Sequence, residues 1–308
     1  MKVAYLFMIL LLTGSIQAPR GQTLRNAQEY IYRGLARQRQ GELDGAIADF
    51  TRAIELSSGI ILVAAYINRA NARTDKGDWD GAIADYTNSL DLQLSDYKDI
   101  PANKRAGKKE GDPPVSAGVT FAPPVAYTFN KRGNARKAKG DLDGAISDYG
   151  KALETNPRYA EAYYNRGVAL QSKDDLDGAI KDYSTALELA PNLTDAYVNR
   201  GQARQGKHDL DGAIADYNAA LVLKADEAGI YFARATARHE KKDLDGALAD
   251  YSKTIELDPA SAEAYANRGV IESLQGKRSL ADQDFEKAFR LDPSLKARFK
   301  EFIEGRKP

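Results

Sequence analysis

The sequence has no cysteine, two histidines, two methionines and a single tryptophan. Without a thiol there are no disulfides, no thiolate metal sites, no cysteine nucleophile and no lipidated N-terminal cysteine. Two histidines leave little for imidazole catalysis or metal ligation. Charge of one sign is also missing. Lys plus Arg number 44 and Asp plus Glu number 44, so the formal net charge is zero. Nothing electrostatic therefore calls for nucleic acid or an anionic membrane as partner. What remains is a chain of 308 residues, 43% apolar, rich enough to bury a core. Composition alone argues against most enzyme classes, and no cofactor or metal is expected.

The longest apolar run, Val3 to Leu12 behind Lys2, falls short of the roughly 20 residues of a membrane span. One positive charge, a short apolar core and then small residues suit a secretory signal over residues 1–21. Cleavage after Ala18, Ser15 or Gly21 fits, and an uncleaved anchor is the alternative. Either places the body outside the cytoplasm, secreted or periplasmic, with no stable membrane span once the signal is cleaved.

The rest is periodic. Tyr163-Tyr-Asn-Arg-Gly167 recurs from Tyr197 and Tyr265, and Asp141-Leu-Asp-Gly-Ala-Ile146 recurs from Asp175 and Asp209, in steps of 34 or its multiple. Seven repeats begin at Ala27, Val63, Ala126, Ala160, Thr194, Ala228 and Ala262. Two extra residues lie near Ser57 to Ile60, and about 29 precede repeat 3. An aromatic stands fourth in each repeat (Tyr30 through Tyr265) and a small residue eighth (Gly34 through Gly269). Alanine is twentieth (Ala46 through Ala281) and an aromatic twenty-fourth (Phe50 through Phe285). Spacings of three and four place these on one face of each of two amphipathic helices. Pro157, Pro191, Pro259 and Pro293 stop four of the second helices.

The small eighth residue, the alanine, the second aromatic and the terminal proline resemble the tetratricopeptide repeat (TPR). The resemblance covers 27–96 as repeats 1–2 and 126–295 as repeats 3–7. It implies an all-α, right-handed superhelical solenoid of seven helix-turn-helix units with a concave face that holds a peptide or partner protein. Residues 294–306 read as a capping helix, with Leu295, Phe299, Phe302 and Ile303 on one side and charges on the other.

The seventh residue is always arginine and the twenty-third always aspartate. The pairs are Arg33 and Asp49, Arg69 and Asp85, Arg132 and Asp148, Arg166 and Asp182, Arg200 and Asp216, Arg234 and Asp250, and Arg268 and Asp284. A guanidinium fork suits a carboxylate at two points, so these read as structural pairs between helices. The Asp-Leu-Asp-Gly turns lack the ligand set of a calcium loop and read as helix caps. Eleven of the 17 tyrosines fall at the two core aromatic positions. His208 lies in a turn and His239 in a first helix, with no triad around either.

The sixth residue is Asn68, Asn165, Asn199 and Asn267 in four repeats. In TPR proteins this position faces the groove, and a carboxamide both donates to and accepts from a peptide backbone. Asn71 and Asn134 extend the same face, and Tyr164 and Gln202 are candidates for side-chain selectivity. The fifth residues lack the lysines of the family's two-carboxylate clamp, so a C-terminal chaperone tail is not expected. Residues 97–125, with five prolines and a basic group, read as an exposed insertion loop. The expected function is a non-enzymatic scaffold, monomeric, for a protein or peptide partner and not for nucleic acid. The alternative is a structural, self-assembling repeat protein.

Overall fold

The computed structural model describes residues 26–98, 125–299 and 303. The signal segment, nearly all of the 97–125 insertion and part of the 294–306 cap lie outside them. Among the described residues there are fifteen α-helices and no strand. Repeat 1 forms α1 (Ala27–Arg39) and α2 (Leu43–Glu55), and repeat 2 forms α3 (Gly59–Lys76) and α4 (Trp79–Lys98). Repeat 3 forms α5 (Val125–Lys139) and α6 (Leu142–Thr155), and repeat 4 forms α7 (Ala160–Ser172) and α8 (Leu176–Leu189). Repeats 5, 6 and 7 form α9 (Thr194–Gly206) and α10 (Leu210–Leu223), α11 (Ala228–Glu240) and α12 (Leu244–Leu257), and α13 (Ala262–Leu274) and α14 (Arg278–Leu291). A single turn, α15 (Leu295–Arg298), follows. The extra residues of repeat 2 lengthen its first helix, which starts at Gly59, four residues ahead of Val63.

Each hairpin turn has the same cause. The fifteenth residue adopts a left-handed conformation, with φ from 76° to 91° at Gly41, Gly77, Gly140 and Gly276. Repeats 4, 5 and 6 place Asp174, His208 and Lys242 there, at φ of 61° to 68°. The next residue is the N-cap of the second helix. Asp141 accepts from the Gly144 backbone N–H at 2.9 Å, and Asp78, Asp175, Asp209 and Asp243 cap their helices in the same way. A Cβ on Gly144 would collide with the capping carboxylate, which is why glycine follows three residues behind the aspartate.

The chain divides into two compact blocks between Ala169 and Leu170, inside α7. In the N-terminal block, Phe50, Tyr86 and Tyr149 are buried beneath the first helices. A Cβ on Gly34 would stand 2.6 Å from the Phe50 ring, and one on Gly133 2.6 Å from Tyr149. The small eighth residue is thus the floor on which the aromatic rests. In the C-terminal block, Tyr183, Tyr217, Tyr251 and Phe285 fill the corresponding place. Burying each such ring contributes up to about 3 kcal/mol. There the buried Leu295 packs with Phe289 and Phe299, and the Phe285 and Phe299 rings lie 6.0 Å apart.

Candidate partner-binding face and the polar frame beneath it

The invariant charges form a frame between helices. Arg132 donates to Asp148 through Nε at 2.8 Å and Nη2 at 2.7 Å. The same fork joins Arg33 to Asp49, Arg69 to Asp85, Arg200 to Asp216, Arg234 to Asp250 and Arg268 to Asp284. The aspartates are buried, Asp182 among them. Hydrogen bonds to their aspartates raise the pKa of Arg33, Arg69 and Arg268. In all seven repeats, Arg166 included, the guanidinium carbon also sits 5.4 to 5.7 Å over the ring of the fourth residue.

Two further members of this frame escape a reading of the sequence by pairs. A second arginine, eleventh in the repeat, reaches the same aspartate from the other side. Arg37, Arg73, Arg136, Arg204 and Arg238 lie 2.7 to 3.0 Å from Asp49, Asp85, Asp148, Asp216 and Asp250. Its signal is an arginine at one place in five of seven repeats, with Leu170 and Glu272 as the exceptions. The seventh-place arginine also reaches back to the preceding repeat. Arg69 donates to Thr51 at 3.0 Å, Arg132 to Thr87 at 2.9 Å, Arg200 to Ser184 at 3.0 Å, Arg234 to Asn218 at 2.5 Å and Arg268 to Ser252 at 3.2 Å. Exposed Lys139–Asp80, Lys207–Asp177 and Lys241–Asp211 pairs repeat along the turns.

The asparagines divide by environment. Asn165 is buried, and its Nδ2 donates to Asn130 Oδ1 at 3.0 Å. Asn130, fully buried, donates in turn to Tyr159 Oη at 3.2 Å and Glu161 Oε1 at 3.0 Å. Asn71 and Asn134 accept from the buried Tyr86 and Tyr149 hydroxyls at 2.6 and 2.7 Å. Gln171 and Gln205 do the same for Tyr183 and Tyr217. Where the second aromatic is Phe50 or Phe285, the ninth residue is Leu35 or Val270. The carboxamide that a buried tyrosine hydroxyl needs thus comes from the ninth place in repeats 2 and 3 and from the twelfth in repeats 4 and 5. Burial pushes the phenol pKa of Tyr86, Tyr149, Tyr217 and Tyr251 up, and a hydrogen bond with Asn267 opposes it at Tyr251. Asn68, Asn199, Asn267 and Tyr164 are half-buried, and Gln202 is exposed. Lys137, on the same helix as Asn134, has its pKa lowered by burial.

In the C-terminal block a concavity of about 150 Å³ opens at the start of α11. Ala228, Gly229 and Phe232 line it from α11, Thr254 and Asp258 from α12 and the residue after it, and Ser261 and Glu263 from the start of α13. Asp258 accepts from the Ala260 N–H at 3.1 Å, and Glu263 accepts twice from Arg298 at 3.1 Å. Among the described residues no group of three or more acids or histidines is placed to hold a metal. No helix among them is long and apolar enough to cross a membrane.

Tetratricopeptide repeat models match residues 32–93, 160–193 and 262–295, and a TPR repeat model matches 133–174 and 235–276. No curated protein is significantly similar to the chain in sequence. Among solved structures, the C-terminal part of a TPR repeat-containing protein from Cytophaga hutchinsonii covers 90% of this chain and 100% of its own, at 18% identity and a TM-score of 0.65. MamA covers 53% of this chain and 95% of its own, at 26% identity and a TM-score of 0.51. YrrB, described as a TPR protein with an unusual peptide-binding site, covers 55% and 87%, at 24% identity and a TM-score of 0.51.

Proposed function

The chain belongs to the tetratricopeptide repeat family, and from that premise we propose that it is a non-enzymatic scaffold, acting outside the cytoplasm, that holds an extended segment of a partner protein on its first-helix faces. TPR proteins bind peptide or protein partners, and the family is generally non-enzymatic. The observation that carries the reading is a division of labour within the repeat. The seventh, eighth, twentieth, twenty-third and twenty-fourth residues are held by the frame and core, while partly exposed fifth and sixth residues change from repeat to repeat: Tyr32, Lys131, Val198 and Asn199, Phe232 and Ala233. The concavity at Gly229 and Phe232 lies on this varied face. Lys2 and the apolar run behind it support the location.

A photo-crosslinking residue at Gln202 or Gly229 tests the reading, with Val222, 86% exposed, as the control. The same partner should crosslink from Gln202 and Gly229 and not from Val222. Crosslinking from Val222 alone would refute the assignment of the face. Sedimentation that stays monomeric as concentration rises separates this reading from self-assembly.

A further inference from the structure

We propose that the last repeat carries a proton-sensitive latch built around Glu272, so that the hairpin of α13 and α14 is held more tightly in acid than at neutral pH. Glu272 occupies the eleventh place, where five repeats put the second arginine of the frame. It is 7% exposed, and its Oε2 is buried without a hydrogen-bond partner. Its neighbour across the hairpin is Asp284 on α14, already held by Arg268 through Nε at 2.6 Å and Nη2 at 2.8 Å. The exchange of arginine for glutamate thus replaces a clamp of two cations on one carboxylate by two carboxylates around one guanidinium.

The groups that bear on this carboxyl are few. Arg268 lies on its own helix, Asp284 on α14 and Lys277 in the turn between them. From α12, Ser252 accepts from Arg268 at 3.2 Å, and Asp245 accepts from Gln275 at 2.8 Å. Burial first, and Asp284 second, push the Glu272 pKa up, against the smaller pulls of Arg268 and Lys277. A carboxyl whose folded pKa exceeds its unfolded value binds its proton more tightly when folded. The stability it lends is complete below the ordinary glutamate range and is lost as pH rises through the raised value. Glu263 and Ser261, which wall the concavity, belong to the start of the same hairpin, so the wall is steadied by the same proton.

Hydrogen exchange on the full chain, corrected for intrinsic rates, tests this between pH 4.5 and 8. In the wild type, the opening constant of α13 and α14 should rise with pH relative to α11 and α12, by up to about tenfold per pH unit within the titration window. Glu272→Gln should flatten that dependence. Glu272→Arg, which restores the residue of five other repeats, should flatten it and leave the hairpin at least as protected at pH 8 as the wild type is at pH 4.5. If the wild type shows no rise, or if Glu272→Gln and Glu272→Arg both keep the wild-type profile, the latch is wrong. The readout is independent of any partner, so its failure would leave the binding face untouched.

Discussion

Replacing Asp148 by asparagine tests the frame where it is most deeply set. Asp148 is 0% exposed and Arg132 8%. The aspartate takes two bonds from Arg132 and lies 3.0 Å from Arg136 Nη1. Asparagine keeps one acceptor and turns an amide N–H toward a guanidinium that also donates. It removes the countercharge while Arg132 stays boxed between the Phe129 ring, 5.5 Å away, and Thr87. Breaking a buried pair on one side costs about 3–5 kcal/mol. The outer exposure of Arg136 puts the expectation near the lower end, at about 3 kcal/mol. The assay is urea unfolding followed both by helical circular dichroism and by the fluorescence of Trp79, the only tryptophan, at the start of α4. Repeat arrays lose cooperativity when one element weakens, so the two signals should separate in the variant. Removing Arg132 as well, as Arg132→Met with Asp148→Leu, should restore part of the loss, because the most deeply buried cation goes with its carboxylate while the half-buried Arg136 keeps Asp141 within 3.7 Å. A fall of less than about 0.5 kcal/mol in Asp148→Asn, repeated in Asp250→Asn, would refute the claim that the frame holds the hairpins.

Two substitutions should stabilise. Gly150 stands where Thr51, Thr87, Ser184 and Ser252 receive an arginine, and a Cβ there would lie 4.0 Å from Arg166 Nη1. Gly150→Ser should therefore add about 1 kcal/mol from helix propensity and a new hydrogen bond, read as a higher urea midpoint. A loss would show that the hydroxyl does not reach Arg166. Lys242 holds φ at 68°, a conformation that costs a side chain and not glycine. Lys242→Gly should add up to about 1 kcal/mol, and an unchanged or lower melting temperature would count against strain at that turn.

Local chemistry was the legible part of the fold. The floor at Gly34 and Gly133, the aspartate caps and the aromatic of every second helix all repeat at fixed spacing within a helix or across one short turn. Arg136 and its equivalents were harder to see, because Leu170 and Glu272 break the column and because Asp148 already had a partner in Arg132. The acceptors at Thr51, Ser184 and Asn218 differ in residue type and share only an oxygen on the right face. At the binding face the sequence offered asparagines in register but not their surroundings. Asn165 meets Asn130, 35 residues earlier, at a distance of 3.0 Å, and neither pattern nor periodicity announces that meeting. Asn71 and Asn134 share the register, yet their carbonyls serve buried tyrosines.

The backward reach of each arginine bears on how such a chain changes length. Arg234 meets Asn218 in the repeat before it, and Arg268 meets Ser252; Lys241 meets Asp211, and Gln275 meets Asp245. Excising Ala228 to Ser261, one whole period, would bring Arg268 to Asn218 and Gln275 to Asp211, acceptors that already receive those kinds of donor. A loss of one residue fewer would turn every later donor about 100° round its helix and away from its acceptor. Whole-period duplication or deletion therefore passes through the polar joints between repeats without rewriting a side chain, whereas single-residue slips inside a helix do not. The same joints that bind neighbouring hairpins thus set the step in which the array can grow or shrink.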